Sequence, residues 1–341
     1  MRWTLPALLL CATLAPAAPM KSASALAFGP DGVLFVGDPQ AGAVLAVQTG
    51  DTAPAGQADV TVDDLSAKLS KLFGTPDVAV ADLKVNPLSG NLFLAVKVGT
   101  GKAERPALVK LLRGGTLAEF APAADAVTTC KLTAPSDKQR ASSITCLGFA
   151  GGKVLVAGLS SEEFASTLRL LPYPLPAEAG PGTGVEVFHA AHGKKETHAP
   201  VKAFVPYTAG GVGYVMAAYT CTPLVRLAVA DLVPGRKLSG VTVAELGNRN
   251  VPLDLISYSK GGKGYLLLAN SARGVMKVPA DPALSAEGLT QPVRGGGVAG
   301  VPFEPVTQLQ GVVQLDKLDA DRAVVVVKDD KVLSVRTVPL P

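Results

Sequence analysis

A short unit recurs six times along the 341 residues of the chain: an apolar stretch, a tight turn carrying glycine or aspartate, and a second apolar run. The copies begin at Phe28, Val85, Phe149, Val205, Tyr258 and Leu315, so they are spaced 53 to 64 residues apart. Each reads as a β-hairpin. A further β-type run follows each of them, at 44–47, 108–111, 168–171, 224–227, 275–278 and 332–335. Weaker fourth runs are visible, for example 184–188 and 241–246. A unit of about fifty residues made of short strands cannot bury both faces alone, and stacking such units around an axis gives a propeller.

The expected fold is therefore all-β: a six-bladed β-propeller of four-stranded antiparallel blades, forming one domain over residues 18–341. The last copy stops after three strands, so residues 18–23 are expected to supply its outer strand and close the ring. One inserted helix is expected near 63–73. Asp63 and Asp64 start it, Leu65, Leu69, Leu72 and Phe73 form its apolar stripe, and Gly74 with Pro76 end it. Apolar residues make up 48% and charged residues 18%, with 36 Gly and 27 Pro, which fits a turn-rich protein whose sheets are covered on both faces.

The first copy, Phe28-Gly29-Pro30-Asp31-Gly32-Val33-Leu34-Phe35-Val36, resembles the Phe-x-Pro-Asp-Gly-x-Leu-Tyr-Val unit of six-bladed propellers of the NHL, gluconolactonase (SMP-30) and strictosidine-synthase type. The resemblance covers that copy closely and the other five loosely. It implies a hairpin and a six-bladed ring, not a reaction. The scattered acidic and asparagine metal ligands of the lactonases cannot be placed on this chain residue by residue, so the resemblance does not carry their activity.

Residues 1–17 read as a signal peptide: Arg2, an apolar core over 5–14, and Ala15-Pro16-Ala17 as a small-x-small cleavage pattern. The apolar core is too short for a membrane span. Export to the periplasm or the outside of the cell is expected. It permits a disulfide, and Cys130 with Cys146, which flank a polar stretch, are the expected pair, leaving Cys221 odd. The alternative is that Cys146 lies unbridged in an inner strand. Net charge is only +4 with no basic run, which argues against a nucleic-acid partner. Haem-attachment, phosphate-loop and nucleophile-elbow motifs are absent.

In such a ring the chemically suggestive residues fall in loops between blades and between second and third strands, on one face. All three histidines, His189, His192 and His198, lie within ten residues in the loop from the third to the fourth copy, with Glu196 among them. Imidazoles and a carboxylate suit Zn, Cu or Fe, whereas a solvated loop needs none of them and Lys194 and Lys195 oppose a cation. The loop from the fourth to the fifth copy carries Asn248, Arg249 and Asn250, and the fifth copy adds Asn270 and Arg273. These donors suit a carboxylate or phosphate, although Gly247 and the asparagines alone would make a turn. Glu162 and Glu163 read as a short helical turn capped by Ser160, Cys221 as a small buried hydrophobe, and Asp38 as the start of a turn.

Two functions follow. The first is an exported binding protein or scaffold, docking a small anionic ligand or a protein partner on Asn248, Arg249, Asn250, Asn270 and Arg273. The alternative is a metal-dependent hydrolase or oxidoreductase, with His189, His192 and His198 holding the ion and Glu196 or Glu163 serving as ligand or base.

Overall fold

The computed structural model describes residues 20–341 except 55, 57, 134, 221, 222 and 296. The expected signal peptide and Cys221 lie outside the described residues. The chain first lays down β1 (Ala25–Phe28), β2 (Val33–Asp38) and β3 (Ala43–Gln48). It then leaves this sheet for the two-residue β4 (Thr61–Val62) and the helix α1 (Leu65–Phe73). A meander follows: β5 (Val78–Val85), β6 (Leu92–Val98), β7 (Arg105–Leu111) and β8 (Leu117–Phe120), and after it β9 (Val127–Lys131). Next come β10 (Cys146–Ala150), β11 (Lys153–Leu159), β12 (Ser166–Pro172), β13 (Thr183–His189) and the short β14 (Lys194–Glu196). Then β15 (Val201–Ala209), β16 (Val212–Tyr219), β17 (Pro223–Ala228) and β18 (Lys237–Leu246) form another meander. The remainder is β19 (Pro252–Lys260), β20 (Lys263–Asn270), β21 (Gly274–Pro279), α2 (Ala280–Ser285), β22 (Val298–Gly300), β23 (Glu304–Pro305), β24 (Val312–Lys317), β25 (Arg322–Asp329) and β26 (Val332–Pro339).

These strands build a propeller-like arrangement of four-stranded sheets. Four sheets stand alone: β1-β2-β3-β9, β5-β6-β7-β8, β19-β20-β21-β23 and β24-β25-β26-β4. The expected third and fourth copies are instead fused. Their outer strands β13 and β18 pair in parallel, Val187 opposite Gly240, and make one ten-stranded sheet that also carries β14 and β22. The first strand of each copy faces the middle. β1 lies against β5 and β10, and the series continues from β10 to β15, β19, β24 and back to β5.

Two expectations about closure are corrected. The copies do not follow one another around the middle in chain order, because the second copy sits between the first and the last. The last sheet is completed by β4, with Val62 opposite Val335, and not by the described part of the expected segment, residues 20–23. The chain reaches that edge after β3, builds β5–β8, and returns to complete the first sheet with β9. Residues 21–24 are held elsewhere by β2. Asp38, 1% exposed, accepts from the Lys21 N–H (2.7 Å), Ser22 Oγ (2.7 Å) and the Ala41 N–H (3.0 Å), so it anchors the segment as well as starting a turn.

The helix α1 forms where expected. Asp64 caps it by accepting from the Ala67 N–H, Leu65 and Leu69 are buried, and Gly74 takes the left-handed φ of 69° that ends it. The expected disulfide is absent: Cys130 and Cys146 are free thiols. Cys130 is on the outer strand of one sheet and Cys146 on the inner strand of another, so the blade separates them. Cys146 faces the middle of the ring, where burial pushes its thiol up to about 12 despite the nearby Lys84 ammonium.

Three aspartates repeat one device across the inner strands. Asp254 Oδ2 accepts from the Leu315 N–H (3.1 Å), Asp316 Oδ2 from the Val85 N–H (2.7 Å), and Asp82 Oδ2 from the Leu26 N–H (2.7 Å). In each case Oδ1 accepts from the next N–H of its own strand, at 2.8 to 2.9 Å. The series stitches β19 to β24, β24 to β5 and β5 to β1. Register shifts just before Asp82 and Asp254 turn those carboxylates toward the neighbouring strand. Lys84 Nζ sits among them, 3.3 Å from Asp82 and 3.4 Å from Asp254.

Candidate metal centre

The histidine cluster lies on the hairpin β13–β14, at the seam where β13 meets β18. Val187 stands opposite Glu196 and His189 opposite Lys194. Side chains alternate along a strand, so His189 and Glu196 project from the same face. The turn between them closes through the His192 N–H to the His189 carbonyl (3.1 Å) and the Gly193 N–H to the Ala190 carbonyl (3.1 Å). Gly193 takes a left-handed φ of 66°, which fits glycine. The turn folds the His192 ring back over that of His189, with centroids 3.8 Å apart.

Glu196 bridges the two rings. Its Oε2 is 3.2 Å from His189 Nδ1 and its Oε1 2.8 Å from His192 Nδ1. One ligand atom from each of His189, His192 and Glu196 lies within 4.8 Å of the others. Burial would raise the Glu196 carboxyl, but the two imidazole hydrogen bonds outweigh it and hold it below the usual range. His189 is buried and its pKa is lowered, chiefly by that burial. His192 is exposed, so the group opens to solvent on one side. Two imidazoles and a carboxylate form a mixed N/O donor set of the kind Zn, Fe and Cu accept, with coordination positions to spare. Lys194 Nζ, 3.7 Å from Glu196 Oε1, opposes a cation, but it is exposed and rotatable.

His198 does not join this group. β14 ends at Glu196, and the chain bends at Thr197, whose carbonyl accepts from the Ser166 N–H (2.8 Å). The alternation that aligned His189 with Glu196 stops there, and His198 Nδ1 is 2.9 Å from Thr197 Oγ1.

A residue outside the expected set completes the environment. Glu245 on β18 is 0% exposed, and its Oε1 accepts from the N–H groups of Ala190 (2.6 Å) and Ala191 (3.3 Å). Its Oε2 faces His189 Nε2 at 3.9 Å. Burial, only partly offset by the two backbone donors, pushes its carboxyl up to about 7. The sequence held a signal for it. Along 241–246 the alternation puts Val241, Val243 and Glu245 on one face, so a carboxylate stands at an apolar position.

The donor-rich loop lies beside the hairpin. Gly297 is the link, since a Cβ there would come 3.3 Å from Ala191 Cβ and 3.4 Å from the Asn248 N. Asn250 and Asn270 are buried and spend their amides internally. Asn250 Nδ2 donates to Asn270 Oδ1 (3.0 Å), and Asn250 Oδ1 accepts from the Ala272 N–H (3.0 Å). Arg273 Nη2 donates to the Asn248 carbonyl (3.3 Å), and its guanidinium packs where a Gly247 side chain would stand. Asn248, Arg249 and Arg273 are the exposed members, with Arg249 in the left-handed region at φ 56°.

The expected capped turn at Ser160 is a series of bends, not a helix. Ser160 Oγ accepts from the Glu162 N–H (3.2 Å), Glu162 pairs with the buried Arg169 (2.9 Å), and Glu163 pairs with Lys237 (2.5 Å). A cleft of about 290 Å³ lies elsewhere, between residues 21–24 and the β5–β7 sheet; of its charged residues, Lys97 and Glu104 pair with each other at 3.1 Å and Arg105 pairs with Glu119 at 2.7 Å.

No protein-family model matches the chain, and no curated protein is significantly similar to it in sequence. Several solved structures resemble it distantly. One is an oxidoreductase described as a glucose dehydrogenase from Thermus thermophilus, 13% identical, with TM-score 0.38, covering 95% of this chain and 99% of that one. Another is the PQQ-bound aldose sugar dehydrogenase of Streptomyces coelicolor, 10% identical, with TM-score 0.35, covering 96% and 97%. A third, assigned as an exo-β-1,3-galactanase from Bifidobacterium bifidum, is 11% identical, with TM-score 0.38, covering 83% and 92%. At these distances the likenesses do not bear on the chemistry of this chain.

Proposed function

We propose that this chain is an exported, six-bladed propeller that binds a divalent transition metal through His189, His192 and Glu196 and acts as a metal-dependent hydrolase or oxidoreductase. The six-bladed reading divides the ten-stranded sheet at the parallel β13–β18 seam, which leaves two four-stranded antiparallel units. The cyclic neighbourhood of six inner strands supports that division, as does the hairpin motif at Phe28–Val36.

The metal reading rests on one observation: three ligand atoms gathered within 4.8 Å, on a hairpin whose turn leaves His192 exposed. A divalent ion held there would polarise a substrate oxygen or lower the pKa of a bound water. The exposed Arg249 and Arg273 suit a small anionic ligand beside the ion. The amides of Asn250 and Asn270 are engaged within the fold, so the metal group and not the amide cluster is the centre of the site.

Metal analysis tests the reading. Purified full-length protein reconstituted with Zn, Cu, Fe or Mn is expected to hold about one equivalent of one of these ions. His189→Ala combined with His192→Ala is expected to drop below about a tenth of an equivalent while keeping its far-UV circular dichroism. Wild-type protein that stays below that level after reconstitution overturns the proposal.

A further inference from the structure

Among the described residues, two buried polar atoms face each other without hydrogen-bond partners, His189 Nε2 and Glu245 Oε2. They are 3.9 Å apart, about 1 Å beyond a hydrogen bond. Both residues are almost fully enclosed, at 2% and 0% exposure, and an unpaired polar atom at such depth is costly. The pairing explains itself once the ring's two nitrogens are assigned. Glu196 can only accept, so without an ion His189 offers it the hydrogen on Nδ1 (3.2 Å) and Nε2 carries a lone pair. An ion among His189, His192 and Glu196 needs that same Nδ1 as a ligand. The ring hydrogen must then sit on Nε2, which faces Glu245 Oε2 at 3.9 Å.

We propose that Glu245 is the positioning residue of the metal centre, accepting a hydrogen bond from His189 Nε2–H and so fixing the imidazole with Nδ1 toward the ion. This rests on the metal reading above. Metal-binding imidazoles commonly donate their second N–H to such a carboxylate. Glu245 is not itself a ligand, because it faces the ring edge opposite Nδ1. Its orientation is set by Ala190 and Ala191, whose N–H groups hold Oε1. The same turn that carries His192 over His189 thereby holds the carboxylate that orients His189.

Zn(II), competed against a chromophoric chelator, is the probe. Glu245→Gln is the informative variant. Its amide oxygen takes the two backbone N–H groups, which leaves an NH2 facing Nε2, donor against donor. The expected result is Zn(II) binding weakened about 10- to 100-fold, with the thermal midpoint of the metal-free protein little changed. A second readout needs no variant. In ¹H–¹⁵N spectra of the Zn(II) form, His189 is expected as the Nε2–H tautomer, and with only three histidines in the chain the assignment is direct. Equal affinity in Glu245→Gln, or ligation of Zn(II) through Nε2, overturns the positioning role and leaves the metal site standing. Failure of the wild-type protein to bind Zn(II) overturns the positioning role, and failure to bind Cu, Fe or Mn as well overturns the metal site.

Discussion

Lys84→Met is expected to cost about 3–5 kcal/mol of stability at pH 7.5, because it strands buried carboxylates around an ammonium that no longer exists. Lys84 stands between Asp82 and Asp254, with side chains only 17%, 13% and 10% exposed. Burial lowers an ammonium's pKa, but here Asp254, Asp82 and Asp316 outweigh it and hold Lys84 well above the ordinary value. The carboxylates bear the opposite strain. Asp82 is pushed up to about 6, first by burial and then by Asp254, against the pull of Lys84 and two backbone donors, and Asp316 is raised as well. The pH signature follows from those directions. An aspartate whose folded pKa lies above its unfolded value favours the fold fully below about pH 4 and loses that contribution as the pH rises through about 6. Without Lys84, Asp82 and Asp316 stay protonated to higher pH. The cost of Lys84→Met should therefore be small at pH 4.5 and large at pH 7.5. Urea midpoints of the two proteins at both pH values measure it. Equal costs at the two values, or a cost under about 1 kcal/mol at pH 7.5, would show that the ammonium does not hold the ring together.

The aspartates that stitch the inner strands show where reading the sequence stopped. Hairpins were legible because they are local. The pair Gly261–Gly262 takes φ of 58° and 73°, a two-residue turn that nearly any other sequence would resist, and Lys260 then pairs with Lys263 as the spacing requires. The helix after Asp64 was legible for the same reason. The order of the sheets around the middle was not. It depends on which free edge a two-residue strand, β4, finds, and Thr61-Val62 carries no pattern of its own. Asp82, Asp254 and Asp316 carry no signal in the sequence because they lie within strands, where a lone carboxylate looks like any solvent-facing position. Glu245 lies within a strand too, but at an apolar position of its alternation. In the candidate site, the histidine group was visible by composition, but the choice between Glu196 and His198 was made by where β14 ends. Glu196 is the last residue on the paired strand and His198 lies past the bend. The disulfide was expected because two cysteines close in sequence suggest closeness in space, but a strand exchange between sheets separates them, and the alternative of an unbridged Cys146 in an inner strand is what the structure has.

Asp51→Ala is expected to be as damaging as the loss of Lys84 at pH 7.5, and to stay so at pH 4.5. Asp51 lies on the segment that leaves β3 for β4, and it is 8% exposed. Its carboxylate accepts from Ser89 Oγ (2.5 Å), Lys110 Nζ (2.8 Å), Asn91 Nδ2 (3.0 Å) and Asn86 Nδ2 (3.1 Å). Three of these donors come from the turn between β5 and β6, so the network bolts the crossing segment onto the second sheet. The segment then continues under Arg113, whose Nε donates to the Ala58 carbonyl (2.6 Å), and reaches β26, where the Thr337 N–H donates to the Val60 carbonyl (2.9 Å). Removing the carboxylate leaves three donors, one of them a cation, without their acceptor, a loss of about 3–5 kcal/mol; Asn86 Nδ2 keeps the Asp51 backbone carbonyl (2.6 Å). Burial alone would raise the Asp51 pKa, but Lys110, Ser89 and Asn91 outweigh it and the net direction is downward. A carboxylate with a lowered folded pKa contributes its stability above the unfolded value and loses it only as the pH falls through the folded one. The cost of Asp51→Ala should thus be nearly the same at pH 4.5 and 7.5, where that of Lys84→Met is not. Because β4 is held to its sheet by two paired residues, the damage should also be local. Amide exchange at Val62 and Val335 is expected to accelerate before that of β5–β7, since the segment that delivers the closing strand has lost its bolt. Exchange that accelerates uniformly, or not at all, would mean that β4 is held by its own pairing with β26 and that the crossing contributes nothing to closing the ring.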